Sequence, residues 1–120
     1  MAKKKNRPNK SKKHIGQVPG ALVYTGNKES NSLLIESFDY TPDSYTELEL
    51  KTVEEAFTYK STRSKTWINF NGLNKISEIE KVGKYYNLHP LILEDIVNTS
   101  QRPKIDEYNE YLFLVLKMMY

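Results

Sequence analysis

Two adjacent carboxylates stand out in the segment LHPLILEDIVNTSQRPKIDEY, which runs from residue 88 to residue 108. Glu94 and Asp95 lie within an otherwise apolar helical turn, and the run QRPK follows at residues 101–104. Mg²⁺ prefers oxygen ligands, keeps several of its waters and often takes only one or two carboxylates from a protein. The pair therefore has the chemistry of half a hard-cation site, whose remaining oxygens would come from elsewhere.

The sequence leaves other interpretations of this region open. Consecutive helical residues project about 100° apart, so Glu94 and Asp95 can also form a solvated helix edge that faces Lys or Arg. The same divergence argues against paired acid–base catalysis, in which two carboxylates converge on one bond. The turn around Arg102 and Lys104 is either a rigid connection or a corner that makes salt bridges or subunit contacts.

Patterns typical of other chemistry are absent from the sequence. It contains no cysteine and only two histidines, so it offers neither a disulfide nor a zinc site. His89 directly precedes Pro90 and is expected to cap a helix or to lie in a buried turn. No glycine-rich phosphate loop and no G-x-S-x-G element occurs. We therefore expect a binding module, not an enzyme.

Charge is distributed unevenly along the 120 residues. Seven of the 18 basic residues and no acidic residue fall within residues 1–13, which leaves 11 basic against 15 acidic residues in the rest. We expect residues 1–19 to be a disordered basic tail and residues 20–120 to form one domain. The tail is a solvated arm, a contact with anionic lipid or a nonspecific RNA-binding segment. The acidic body argues against nucleic-acid binding by the domain itself.

Periodicity predicts the elements that must position the acidic pair. An extended piece is predicted at residues 21–26, strands at 31–40, 44–52, 66–72, 105–108 and 111–120, and helices at 53–57, 75–86 and 90–98. Thr52 and Asn74 are predicted N-caps, Asn87 a left-handed residue after its helix, and Pro90 a first-turn residue. The order predicts an α/β fold, with a mixed β-sheet packed with helices.

Two predictions concern exposure of the strands to solvent. The alternation over residues 44–52 predicts a half-buried strand, and the apolar run at residues 112–116 predicts a buried one. No stretch approaches the roughly 20 apolar residues of a membrane helix, and no secretory signal is recognisable. We expect the chain to be soluble and, because it ends at Tyr120 inside an apolar strand, to be a fragment of a longer protein.

Four motifs occur in order along the second half of the chain. They are W-I-N-x-x-G at residues 67–72, H-P-L-x-L-E-D-I at 89–96, Q-R-P-K at 101–104 and Y-x-x-Y-x-F-x-V-L-K-M at 108–118. Together they resemble the N-terminal cytoplasmic domain of CorA-type magnesium and cobalt transporters. The segment P-G-A-L-V-Y-T-G at residues 19–26 is similar to the start of that domain, so the likeness covers about residues 19–120.

The resemblance implies a homopentameric channel with two membrane helices and a cytoplasmic αβα sandwich that leads into a long stalk helix. This chain would supply part of that sandwich, on the cytoplasmic side of the inner membrane, and would lack the stalk and the membrane helices. In the family, the position of Asp95, with Glu94 close by, binds regulatory Mg²⁺ between neighbouring subunits, and the partner carboxylates come largely from the stalk. Mg²⁺ binding by the isolated fragment is therefore expected to be weak.

Two alternatives remain open beside this expectation. One is the same domain of a zinc-transporting relative, because the transported ion (Mg²⁺, Co²⁺, Ni²⁺ or Zn²⁺) is chosen in a pore that this chain lacks. The other is a stand-alone nucleic-acid-binding domain that uses the basic tail.

Overall fold

The computed structural model describes residues 21–27 and 31–119. The predicted basic tail, residues 1–19, lies outside these ranges, as do residues 20, 28–30 and 120. The elements are β1 (Leu34–Tyr40), β2 (Tyr45–Leu50), α1 (Val53–Phe57), β3 (Lys65–Asn71), α2 (Ile76–Tyr85), α3 (Pro90–Val97), β4 (Lys104–Glu107) and β5 (Leu112–Val115). This order agrees with the predicted succession, with a short 3₁₀ helix (Thr58–Ser61) added after α1.

β1 is the middle strand of a three-stranded antiparallel sheet with the order β2-β1-β3. Successive side chains of a strand point to opposite faces, so Ile35 and Ser37 share one face, where both are buried. The register places Ile35 between Leu50 of β2 and Phe70 of β3. This face is the inner one, and its buried Ser37 hydroxyl is satisfied by a hydrogen bond of 3.1 Å with the hydroxyl of Tyr59.

Helix α1 packs against the inner face of this sheet. Its N-terminus is capped by the Thr52 side chain, which accepts the N–H of Glu55 at 3.4 Å and confirms the predicted cap. Val53 and Ala56 are fully buried and share a core with Ile35 of the sheet. A helix of five residues is unstable alone, so this packing is what holds it.

Helices α2 and α3 approach each other closely at Gly83. A Cβ atom at Gly83 would lie 2.5 Å from the methyl carbons of Leu93, so glycine makes room for that side chain. Asn87 has the predicted left-handed backbone, with φ of 53°. The predicted cap at Asn74 is wrong, because Lys75 has non-helical angles (φ −81°, ψ 70°) and stands as the N-cap of α2, without a side-chain hydrogen bond.

β4 and β5 form a separate two-stranded antiparallel sheet. The strand predicted over residues 111–120 is shorter, and it is not buried: the exposed fractions of Leu112 and Leu114 are 60% and 50%. β2 likewise buries only Leu50, whereas Leu48 is 49% exposed. The predictions of burial were wrong here because alternation fixes which side chains share a face, whereas burial requires a second layer over that face.

The predicted α/β class is confirmed by two β-sheets and three α-helices. Every strand pair within residues 31–119 is antiparallel. The extended piece predicted at residues 21–26 is not a strand of either sheet. In the parts of the chain that the structure describes, no helix is both long and apolar enough to span a membrane.

Candidate functional site

Helix α3 presents the acidic pair, and its own position is fixed at the N-terminus. The ring Nδ1 of His89 accepts the N–H of Leu91 at 3.1 Å, so His89 is the N-cap, as one of the two interpretations predicted. Pro90 occupies the first turn, where its missing N–H costs nothing. The backbone N–H of His89 donates to the hydroxyl of Tyr111 at 3.0 Å. The start of α3 is therefore tied to the β4–β5 connection.

Buried side chains anchor α3 in the interior. Ile92 and Val97 are buried, with exposed fractions of 2% and 1%. Glu94 and Asp95 lie between these two residues in the sequence and are half-buried. The helix thus carries both carboxylates at the border between interior and solvent, where a side chain keeps access to ions while its geometry is restrained.

Asp95 is held by two donors from the turn that follows the helix. Its Oδ1 accepts the side-chain amide of Gln101 at 2.7 Å, and its Oδ2 accepts the ammonium of Lys104 at 2.6 Å. The ammonium also lies 3.1 Å from a carboxylate oxygen of Asp106. The corner interpretation of the QRPK turn is confirmed as far as the salt bridge, since Lys104 stands between two carboxylates.

The two carboxylates stabilise the charged form of Lys104. The hydrogen bond to Asp95, followed by the one to Asp106, raises the pKa of the Lys104 ammonium above its ordinary value, against a smaller opposing effect of desolvation. The ammonium also lies 5.6 Å from the ring centroid of Phe113 on β5, within the range of a cation–π contact. The Lys104 ammonium therefore already places a positive charge beside the Asp95 carboxylate.

Glu94 is not part of this hydrogen-bonded corner. The donors that hold Asp95 come from Gln101 and Lys104, and Glu94 projects in a different direction because neighbouring helical residues diverge by about 100°. Among the residues that the structure describes, no group of three or more Asp, Glu, His or Cys side chains is placed to hold a metal ion.

A groove of about 300 Å³ opens beside Asp95, between the end of α3 and β5. Its polar lining includes Asp95, Asn98, Thr99 and Gln101, and its apolar lining includes Phe113. The Asp95 side chain therefore borders an open groove as well as the turn that follows α3.

The end of α3 carries a contact that the sequence did not predict. The buried hydroxyl of Thr25 donates to Oδ1 of Asn98 at 3.1 Å and accepts the N–H of Thr99 at 2.9 Å. The N–H of Thr25 donates to the carbonyl of Val97 at 3.1 Å. No local signal could have indicated these bonds, because the partners are more than 70 residues apart.

The donor set suits a hard cation only in part. Carboxylate and amide oxygens are the ligands that Mg²⁺ takes, and it needs six of them, some of which are waters. The described residues offer Asp95, whose two oxygens are already engaged, with Glu94 nearby on the helix. They supply a fraction of a coordination shell, so a complete site requires groups from outside this part of the chain.

Comparison with known proteins accounts for the motifs around this site. Residues 63–120 match the family described as CorA-like Mg²⁺ transporter protein. The cobalt/magnesium transport protein CorA of Thermotoga maritima is 39% identical over 103 residues, which cover 86% of this chain. The chain is a CorA-type sequence. The expected resemblance is therefore confirmed, and it covers most of the chain.

A second relative shares a shorter segment. The Bacillus subtilis protein YfjQ, whose name describes a metal ion transporter, is 36% identical over 50 residues, or 42% of this chain. The chain spans 29% of the length of the Thermotoga CorA and 15% of the length of YfjQ. CorA-like proteins are described as transporters, a class distinct from enzymes. The segment that matches the CorA-like family, residues 63–120, includes both α3 and the QRPK turn.

Proposed function

We propose that this chain is the ion-responsive cytoplasmic part of a CorA-type magnesium and cobalt transporter. The observation that carries the proposal is the position of Asp95, which lies half-buried on α3, beside an open groove and within the CorA-like segment. The family match favours a transporter over a stand-alone nucleic-acid-binding domain.

In this proposal, Asp95 supplies one carboxylate of a regulatory Mg²⁺ site, and Glu94 adds negative charge close by. The remaining ligands come from a neighbouring subunit of a homopentamer and from water. Incomplete donor sets of this kind are useful for regulation, because the ion is bound only when two subunits are held together. Carboxylates that face one another without the ion repel and loosen the subunit contact.

The energetic scale is sufficient for a switch. A ligand at ten times its Kd stabilises the state that binds it by about 1.4 kcal/mol per site. Several equivalent sites around a ring would add their contributions, so the total would be several times this free energy. About 5.5 kcal/mol is enough to move a two-state equilibrium from roughly 1:99 to roughly 99:1. The chain's role is thus to convert free Mg²⁺ concentration into the strength of subunit contact.

The test is Asp95→Asn in the full-length transporter, with inhibition of ion flux by Mg²⁺ as the measurement. Loss of the carboxylate should raise the Mg²⁺ concentration for half-inhibition by about tenfold, a shift of ordinary size for coupling between two sites. Glu80→Gln is the matched control, because Glu80 is an exposed carboxylate on α2. If Asp95→Asn and Glu80→Gln both leave the half-inhibiting concentration unchanged, the proposed function is wrong.

A further inference from the structure

We propose that Lys104 is a built-in competitor for the divalent cation at Asp95 and thereby sets the concentration range to which the site responds. The inference rests on the proposed function, since it concerns regulation of the same carboxylate. The inference adds Lys104 as a residue that weakens Mg²⁺ binding. It also adds a second carboxylate, Asp106, which pairs with the lysine when Mg²⁺ binds to Asp95.

The competition follows from the occupied oxygens of Asp95. Oδ2 already accepts a charge-assisted hydrogen bond of 2.6 Å from Lys104, slightly shorter than the usual range of about 2.7–2.9 Å for an ammonium and a carboxylate. A Mg²⁺ ion on the same oxygen would sit about 2.1 Å from it, which brings two cations within a few ångströms of each other. Asp95 must therefore release Lys104 in order to bind the ion.

The structure also provides a place for the released ammonium. Asp106 lies two positions after Lys104 in β4, so both side chains are on the same face of the strand. Their charged atoms are already 3.1 Å apart. Because the lysine side chain is long and flexible, Lys104 can leave Asp95 and keep Asp106 as its partner, which avoids an unpaired charge.

Gln101 has a different part in the exchange. Its amide donates to Oδ1, the other oxygen of Asp95, at 2.7 Å. An amide carries no charge, so it does not repel a cation on Oδ2, and it holds the carboxylate plane in place while the partner at Oδ2 changes. Lys104 and Gln101 thus bind separate oxygens of the Asp95 carboxylate.

The test is calorimetric titration with MgCl₂ at constant ionic strength, on the full-length wild-type protein and on Asp95→Asn, Lys104→Met and Arg102→Met. Lys104→Met should lower the Kd for Mg²⁺ by about three- to tenfold, the range expected when a partly exposed ion pair no longer competes. Arg102 is exposed in the same turn and is the matched control. Arg102→Met removes the same charge without removing the contact and should change Kd by less than about twofold.

The outcomes separate the two proposals. If the wild-type protein shows no Mg²⁺ binding that Asp95→Asn removes, the proposed function and this inference are both overturned. Binding that depends on Asp95 but is unchanged or weakened by Lys104→Met overturns only the inference. An equal gain in Lys104→Met and Arg102→Met also overturns it, because the effect would then be one of general charge.

A second pair of variants keeps the inference testable if Lys104→Met does not fold. Asp106→Asn removes the alternative partner and should hold Lys104 on Asp95, which raises the Kd for Mg²⁺ by about two- to fivefold. Glu107→Gln is the control, since Glu107 is exposed on the adjacent position of β4. A Kd that is the same in Asp106→Asn and Glu107→Gln contradicts the exchange of Lys104 between two carboxylates.

Discussion

Thr25 and Asn98 are joined by a hydrogen bond of 3.1 Å across 73 positions of the sequence. The same hydroxyl also accepts the N–H of Thr99, so one buried side chain binds the N-terminal segment to the end of α3. Asn98, the residue that follows α3, lies three residues after Asp95. The contact couples the beginning of the described chain to the helix that carries the candidate site.

Thr25→Val tests the strength of this contact. The substitution keeps the shape but replaces the buried hydroxyl, which donates to Asn98 and accepts the N–H of Thr99, with a methyl group. Loss of these two bonds at a partly buried place should lower the free energy of unfolding by about 1–3 kcal/mol. Urea unfolding followed by circular dichroism measures the change. Thr46→Val, at an exposed position of β2, should stay within about 0.5 kcal/mol of wild type. Equal effects of the two variants would contradict the importance of the Thr25 bonds.

Gly83→Ala tests the close approach of α2 and α3. Alanine is favoured over glycine within a helix by about 1 kcal/mol, so propensity alone predicts a more stable protein. The new methyl group would instead lie 2.5 Å from the Leu93 side chain, and overpacking of this kind costs about 1–3 kcal/mol. We expect net destabilisation in urea unfolding.

The double variant Gly83→Ala with Leu93→Ala isolates the cause of that change. If the methyl group and the leucine clash, the cost of adding the methyl group should disappear in the Leu93→Ala background, because the two changes then couple. A gain in stability from Gly83→Ala alone would show that the leucine moves aside freely.

Thr52→Ala tests the cap of α1. Loss of the side-chain acceptor for the N–H of Glu55 should cost about 1 kcal/mol of folding free energy. Thr52→Ser keeps the hydroxyl and should recover most of the stability, as measured by thermal or urea unfolding. If the serine variant is as unstable as the alanine variant, the hydroxyl is not the stabilising group.

The ion pairs of Lys81 predict a dependence of stability on pH. Lys81 lies 3.0 Å from Glu78 and 3.4 Å from Glu54, which links α2 to α1. The hydrogen bonds to Glu78 and then Glu54 raise the pKa of the lysine above 10.5. Because the folded-state pKa is raised, this stabilisation is complete below pH 10.5 and is lost as the pH rises through the folded-state value.

The acidic partner defines the other limit of this pH window. A hydrogen bond from the backbone of Glu54 to its own carboxylate lowers the pKa of that carboxyl below 4.5, and the hydrogen bond from Lys81 lowers it further. Its stabilisation is present above pH 4.5 and is lost as the pH falls through the folded-state value. The stability difference between wild type and Lys81→Met should therefore be constant between these limits and shrink outside them. Lys84→Met, at an exposed position of α2, is the control, and a difference that does not vary with pH would contradict the assignment.

Much of the local structure could be predicted from the sequence because its causes are local. Thr52 accepts the N–H of a residue three positions away, Asn87 adopts a backbone that asparagine tolerates, and Pro90 fits the first turn of a helix. The cap at Asn74 was misplaced by one residue, because the backbone of Lys75 turns before the helix begins. Helix ends depend on small differences of this kind.

The candidate site was predictable in composition but not in arrangement. The types and spacing of Glu94, Asp95 and the QRPK turn indicated hard-cation chemistry, a salt-bridged corner and the CorA resemblance, and the match over residues 63–120 supports the last of these. The sequence did not indicate that Lys104 and Gln101 take separate oxygens of Asp95, since that depends on the path of the chain between α3 and β4.

The sequence by itself determined the order of the main helices and strands, the cap at Thr52 and the family, because these depend on neighbouring residues and on motifs that survive in linear order. Tertiary structure alone decided the bonds of Thr25 at the end of α3, the division of the strands into two sheets and the exposure of Leu112 and Leu114. These features depend on which surfaces meet in space. A periodic pattern gives the direction of each side chain, and only the folded chain gives it a partner.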